Sequence, residues 1–407
     1  MDPARELHLG LWLLTSGHHI ASWRHPETRP AALTTIDHYV GIARIAERGK
    51  LDMVFFEDTL ANRERSGGVF GEAPFNSLDP LIQIAAIAAA TETIGLAASY
   101  STTYHSAAVL AAKFATIDAL SGGRAGWNMV TSDASAARNF GAGEHPEHAS
   151  RYANAVDVVH AVRAQWAAGE PSPQSQPVLI QAGMSSWGLD FASSFGEGVF
   201  AAFGQIEGGR AFRADLRARA AAKGRSPDAI KVLPGFMPII GSTEREAAEK
   251  AELYRELIHP RMVRAMLGER FNIDFTDRAL DAPFPLDEIK AVIDARPNVG
   301  GPRARHLADI REGETMGSYA ERMRAKPSGH LTKAGTPDQI ADFMQNWFEA
   351  GGCDGFIIQA LQIPVEFELF VDAVIPVLQR RGLFRRDYAG ATLRSHLGLE
   401  APVTAAA

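Results

Sequence analysis

The chain has 407 residues, 46% hydrophobic and 22% charged, which is longer than an ordinary domain of about 100–200 residues and sufficient for one large core. A formal net charge of −7, with arginines interleaved among acids, leaves no nucleic-acid footprint, and the single Cys353 excludes an internal disulfide framework or a thiolate metal cluster. No apolar run reaches the roughly 18 residues of a membrane span and the start MDPARE lacks the form of a signal peptide, so a cytoplasmic enzyme is expected.

Short β-type runs alternate with longer helical patterns, as in parallel α/β architectures. Residues 7–15 read as a first strand, and 33–48 as a helix ended by Gly49. The second strand, 53–56, ends in Glu57-Asp58, and Asp79-Pro80 opens a helix by cap chemistry. A third strand at 94–98 has the polar tip 99–103 and is followed by a helix over 105–120. The fourth strand, 124–130, ends in Thr131-Ser132; a helix follows over 152–166. Strands at 177–181, 198–203, 230–240 and 355–359 complete the series, with Pro234 and Pro238 interrupting the seventh. Eight such runs predict a (β/α)8 TIM barrel with insertions and a C-terminal extension, one domain spanning 1–407. No G-x-G-x-x-G follows the first strand, which weakens a dinucleotide-binding sheet. The surplus length is assigned to an excursion at 133–151, a lid insertion at 269–335 and an arm at 376–407.

Chemistry in such a barrel lies at the C-terminal ends of the strands. The polar residues there are Ser16, His18 and His19, then Asp58, then Ser99 to Thr103, then Asn128, Thr131 and Ser132, then Ser185 and Ser186. Hydroxyls and amides with few charges suit holding a polar cofactor better than a two-carboxylate or metal mechanism. Adjacent His18 and His19 would point to opposite sides of an extended segment, unlike paired metal ligands. No lysine falls at a strand tip for Schiff-base chemistry, and Lys231 stands at a strand's start. His145-x-x-His148 has metal-like spacing without a third ligand, so no metal is expected. The strongest anion site is QAGMSSWG (181–188), where a strand ends, glycine turns, and Ser185 and Ser186 meet a helix start whose free N–H groups attract phosphate. Plain structural roles stay open for these residues: an N-cap for Ser185, strand-end N–H groups for Asp58, a capped helix start for His148-x-x-Arg151-Tyr152.

Taken together, HHIASWRHP (18–26), ERGKLDMVFFED (47–58), FATIDALSGGRAGWNMVTS (114–132), NFGAGEHPEHASRY (139–152), PVLIQAG (177–183), GTPDQIADFMQNWFEAGGCDGFII (335–358) and LQRRGLFRRDYAGATLRSHLGL (378–399) carry a resemblance. The chain resembles the bacterial-luciferase-like flavin monooxygenases, in the subgroup of nitrilotriacetate, dibenzothiophene-sulfone and long-chain alkane monooxygenases. The resemblance implies reduced FMN supplied by a separate NAD(P)H-dependent flavin reductase, O2 as co-substrate, and oxygenation of a small organic substrate by a homodimer or homotetramer. It places Asp58, Ser99, Ser101, Asn128, His148, Tyr152, Ser185 and Ser186 at the flavin. His18 or His19 is expected to position substrate or exchange a proton with the reacting oxygen. The rivals are a deazaflavin-dependent hydride-transfer enzyme of the same superfamily and a catalytically idle flavin-binding protein. The chain departs from the subgroup in its short link between Trp166 and Pro177, in Ser99 for a usual Thr and in Met184 for a small residue. Arg261, Arg264, Arg270, Arg303, Arg305 and Arg311 could welcome an acidic substrate or be solvated surface arginines.

Overall fold

The computed structural model describes residues 6–57, 78–132, 137–141, 145–169, 172–295, 306–324 and 330–400. Strands β1 (His8–Trp12), β2 (Met53–Phe56), β3 (Gly95–Ser101), β4 (Ala125–Val130), β5 (Val178–Gln181), β6 (Gly198–Ala201) and β7 (Lys231–Ile240) pair in parallel in chain order. β9 (Gly355–Ile358) joins β7 to β1 and closes an eight-stranded barrel. Between the strands run α1 (Ile36–Arg48), α2 (Pro80–Ala88), α3 (Ala107–Leu120), α4 (His148–Ala168), α5 (Ser186–Phe195), α6 (Ile206–Ala222) and α7 (Glu244–Glu256). Among the described residues no helix is long and apolar enough to cross a membrane.

The period of two along each strand divides the side chains between two cores. Leu9, Leu11, Val54, Phe56, Leu96, Trp127, Leu179, Val199, Phe356 and Ile358 face the surrounding helices. Met53, Phe55, Ala97, Val178, Ile180, Leu233 and Ile357 fill the barrel, with Trp12 and Phe200 packed against them. Leu393 and Leu397 of the C-terminal arm join this inner cluster from below, Leu393 lying against Gly95 and Gly126. The arm therefore plugs the N-terminal end of the barrel, and the open end is the C-terminal one.

β7 runs without a break through Pro234 and Pro238. Pro234 is the last register partner of β6, and Pro238 lies beyond the last partner of β9, so both fall where the strand changes neighbours. A further strand, β8 (Leu331–Gly335), pairs with Phe236–Ile240. Because Phe236 also pairs with Ile358 of β9, β8 lies on the β6 side and continues the wall where β6 stops. Residues 258–320 build a separate core in which Met262, Leu267, Phe271, Phe275, Phe284, Ile289 and Tyr319 pack together. Ala21 of the β1–α1 loop is fully buried in that core, which seats the insertion beside the barrel mouth.

Candidate active site

The inward-facing residues at the C-terminal mouth form two unlike halves. On the β1, β2, β6 and β9 side they are aromatic. The Trp12 ring meets His18 edge-on at 4.8 Å, Phe200 at 5.2 Å, Phe55 at 6.0 Å and His330 at 6.1 Å. Phe200 and His330 are 5.2 Å apart. His330 immediately precedes β8 and hydrogen bonds to the backbone of Ala201 at the end of β6, so the added strand delivers it to the mouth. Gln359, fully buried one residue past β9, stands on the rung above Leu11↔Ile358, beside Trp12. Any Cβ on Gly235 would lie 2.7 Å from His330 Nδ1 and 2.9 Å from Gln359 Nε2, so those two side chains meet over that glycine.

On the β3–β5 side the mouth is polar. Asn128 Nδ2 donates to Ser99 Oγ at 2.8 Å, and Asn128 Oδ1 is buried without a partner. Ser101 is turned to its own loop: its hydroxyl accepts from the N–H groups of Thr103 and Tyr104 at 3.1 and 3.3 Å and lies 2.7 Å from Ser132 Oγ. Ser185 caps α5, its Oγ accepting from Gly188 N at 3.1 Å, with Ser186 as the first helical residue. The Tyr152 hydroxyl, whose pKa burial raises, reaches hydrogen-bonding range of Ser185, Thr131 and Gln181. Gly183 leaves room for this arrangement, because a Cβ would stand 2.6 Å from that hydroxyl and displace the Gln181 amide. His148 lies beside Tyr152, ring centroids 5.0 Å apart, and is lowered below the usual histidine range by burial and by Arg151.

The candidates thus fall into three places. Ser99, Asn128, His148, Tyr152, Ser185 and Ser186 gather along β3–β5, whereas Ser101 holds its loop. His18 enters the aromatic half and His19 does not; just before them Gly17, at φ +115° with its α-carbon against the backbone of Leu361 and Gln362, turns the chain out of β1. His19 accepts from Ala21 N at 3.3 Å and packs on Tyr254 at 5.2 Å. Asp58, Arg303 and Arg305 lie outside the described residues. His145 is occupied by the Tyr104 hydroxyl at 2.6 Å and by Arg151. Among the described residues no three His, Cys, Asp or Glu side chains gather as metal ligands. Trp12, Phe200, His330 and Gln359 were not singled out from the sequence. Strand alternation was the available signal for Trp12, Phe200 and Gln359, and the capping box of Thr336 and Gln339 marks the end of the strand that His330 precedes.

Three neutral histidines are built into this end of the protein. Burial, together with neighbouring His330, lowers His18 to about 3; burial lowers His19 and His330 to about 4. Below about pH 6.5 the unfolded chain protonates all three while the folded chain does not. Their stabilisation is therefore complete above about pH 6.5 and drains away as pH falls toward 4. Each contributes a slope of about 1.4 kcal/mol per pH unit, so together they approach about 4 kcal/mol per unit below about pH 5.5. Urea-unfolding free energies measured from pH 7 to 5 should fall with that added slope, and His19→Gln should remove about a third of it. A free energy that stays level across this range would show that the histidines ionise in the folded protein.

A closed parallel barrel with polar groups converging at its C-terminal mouth has the form of a TIM-barrel enzyme. The chain belongs to the luciferase-like monooxygenase family, whose profile matches residues 15–354. It is 36% identical to the N-acetyl-S-(2-succino)cysteine monooxygenase of Bacillus subtilis (strain 168), over 98% of each chain. It is 35% identical to nitrilotriacetate monooxygenase component A of Aminobacter aminovorans, covering 99% of this chain and 98% of that one. Among solved structures, a long-chain alkane monooxygenase superposes with TM-score 0.80 at 28% identity, over 97% of this chain and 96% of the other. The protein is accordingly a monooxygenase, an oxidoreductase that incorporates one oxygen atom into its substrate.

Proposed function

We propose that the protein is the oxygenase of a two-component system that uses reduced FMN from a separate NAD(P)H-dependent flavin reductase, together with O2, to oxygenate a small organic substrate. The observation that carries the cofactor assignment is the polar wall of the mouth: a glycine-made recess at Gly183, a capped helix start, and the unpaired buried Asn128 Oδ1. FMN fits this donor set. Ser185, Ser186 and the free N–H groups of α5 would hold its phosphate, with Tyr152 and His148 beside it. Asn128 and Ser99 would meet the polar edge of its ring, and Asp58 is proposed to approach the ring from the end of β2. Bound reduced FMN supplies the electron pair that activates O2.

The protein's own residues do the rest. The aromatic half keeps water from the reacting oxygen, and His18, uncharged at neutral pH, positions substrate or hands over a proton. The insertion that precedes β8 serves as the cover of the mouth, and the C-terminal arm closes the barrel floor. Assembly as a homodimer or homotetramer and work in the cytoplasm complete the reading. Oxygenation is favoured over hydride transfer because relatives with a third of their residues identical are monooxygenases by name.

The test supplies flavin reductase, NADH, FMN and ¹⁸O2 to a panel of small organic substrates; label in a product is expected, and its absence from every product would remove the proposal. Gly183→Ala should displace the Tyr152 hydroxyl and weaken FMN binding about tenfold, the worth of one hydrogen bond, as read by flavin-fluorescence titration. Unchanged affinity would move the phosphate site elsewhere.

A further inference from the structure

The aromatic half of the mouth holds polar atoms that no described residue satisfies. Trp12 Nε1, both ring nitrogens of His18 and both polar atoms of the Gln359 side chain are buried without a hydrogen-bond partner. Leaving such a group unpaired is costly, and five in one place are retained only where something else pairs them. They belong to one locus: Trp12 and Gln359 stand side by side on the rung above Leu11↔Ile358, His18 lies against Trp12 at 4.8 Å, and Gln359 meets His330 over Gly235. Phe55 and Phe200 wall the same space.

None of these side chains is charged at neutral pH. The histidines are held far below their usual range by burial, and Trp12, Phe55, Phe200 and Gln359 carry no ionisable group. Two arginines of the insertion are engaged elsewhere: Arg264 donates to the Arg278 carbonyl at 2.8 Å and Arg270 to the Tyr319 hydroxyl at 2.9 Å. A carboxylate entering the box would lose its hydration to neutral donors alone and face the negative π-surfaces of the rings. An uncharged acceptor, such as an amide carbonyl, sulfoxide or sulfone, can pair with the indole and amide N–H groups while its flat apolar body fills the box.

Resting on the FMN reading of the opposite wall, we propose that the β1–β9 half of the mouth is the substrate subsite, that it selects an uncharged hydrogen-bond acceptor on a flat apolar body at the reacting end, and that Trp12 and Gln359 determine this specificity. Any acidic group of the substrate stays outside the box.

The experiment uses the FMN-loaded protein and an isosteric pair, 2-naphthamide and 2-naphthoate, with binding followed by ligand-observed NMR. Naphthamide should bind at least tenfold more tightly than naphthoate. Trp12→Phe and Gln359→Leu should each weaken naphthamide about tenfold, with an unchanged circular dichroism spectrum and an unchanged FMN dissociation constant. Equal or tighter binding of naphthoate, or no binding of either probe, would overturn the proposal. Loss of FMN affinity in the two variants with naphthamide binding retained would overturn it as well, by giving the box to the flavin ring. Failure of the FMN reading shows separately, as absent FMN binding to the wild-type protein, and the naphthamide preference can then be measured on the protein alone.

Discussion

His18→Gln is expected to lower product formation by about 10²–10⁴-fold, the usual worth of a positioned proton-transfer group, while leaving the FMN dissociation constant unchanged. His18 has the position for this role: its ring stands against Trp12, its nitrogens are buried and unpaired, and its backbone N–H is fixed to the Ala360 carbonyl at 2.8 Å. Glutamine keeps hydrogen-bonding capacity and approximate size but cannot shuttle a proton, so it separates chemistry from packing. His19→Gln is the matched control. That side chain faces Tyr254 and the insertion, so its loss should alter stability and leave turnover within a few-fold. The measurement is labelled product per NADH consumed, with excess NADH oxidation appearing as H2O2 in His18→Gln. If His18→Gln turns over like the wild type, or if His19→Gln carries the large loss, the assignment of the two histidines is wrong.

The two histidines also show where sequence reading stops. They share one loop, and the course it takes on leaving β1 depends on the left-handed conformation of Gly17 and its close approach to the Leu361–Gln362 backbone, a contact between segments some 340 residues apart. The barrel itself was readable because its strands are apolar on both faces and bounded by polar tips. β7 kept its length through two prolines only because its neighbours change at those points. β8 was unreadable for another reason: Leu331-Thr332-Lys333-Ala334-Gly335 has no apolar alternation, pairs only with the upper half of β7, and was taken into the insertion. His330 was lost with it. The β3–β5 candidates were accessible because a strand end, a glycine and a capping serine are local in sequence. The aromatic half is assembled from β1, β2, β6, β9 and the residue before β8, and no local motif announces it. Alignment with the Bacillus relative extends over 441 positions, more than this chain has residues, so the relative carries segments that are absent here.

Arg394→Met is expected to destabilise the fold by about 3–5 kcal/mol, the cost of leaving a buried carboxylate without its partner. Arg394 is nearly inaccessible and forms a fork onto Glu197, with Nη1 at 2.6 Å from one carboxylate oxygen and Nη2 at 3.2 Å from the other. Its Nε donates to the Gln174 carbonyl at 3.0 Å, and its backbone N–H to the Gln174 side chain at 3.1 Å. Glu197 in turn accepts from Leu179 N at 2.9 Å, so the pair ties the arm directly to β5. Removing the cation leaves Glu197 to be desolvated alone and loosens Leu393, the side chain that fills the barrel floor between Gly95 and Gly126. The double variant Arg394→Met/Glu197→Met should recover much of the loss, because replacing both members of a buried pair by apolar groups is often close to neutral. Urea unfolding of the single and double variants decides between a pair that staples the arm and one that is incidental. The floor lies at the opposite end of the barrel from the mouth, so FMN affinity measured well below the unfolding transition should match the wild type in both. If the single variant unfolds like the wild type, the arm is held by Leu393, Leu397 and the Arg385–Asp52 pair (2.6 Å) without need of Arg394; if FMN affinity falls with it, floor and mouth are mechanically coupled through the strands.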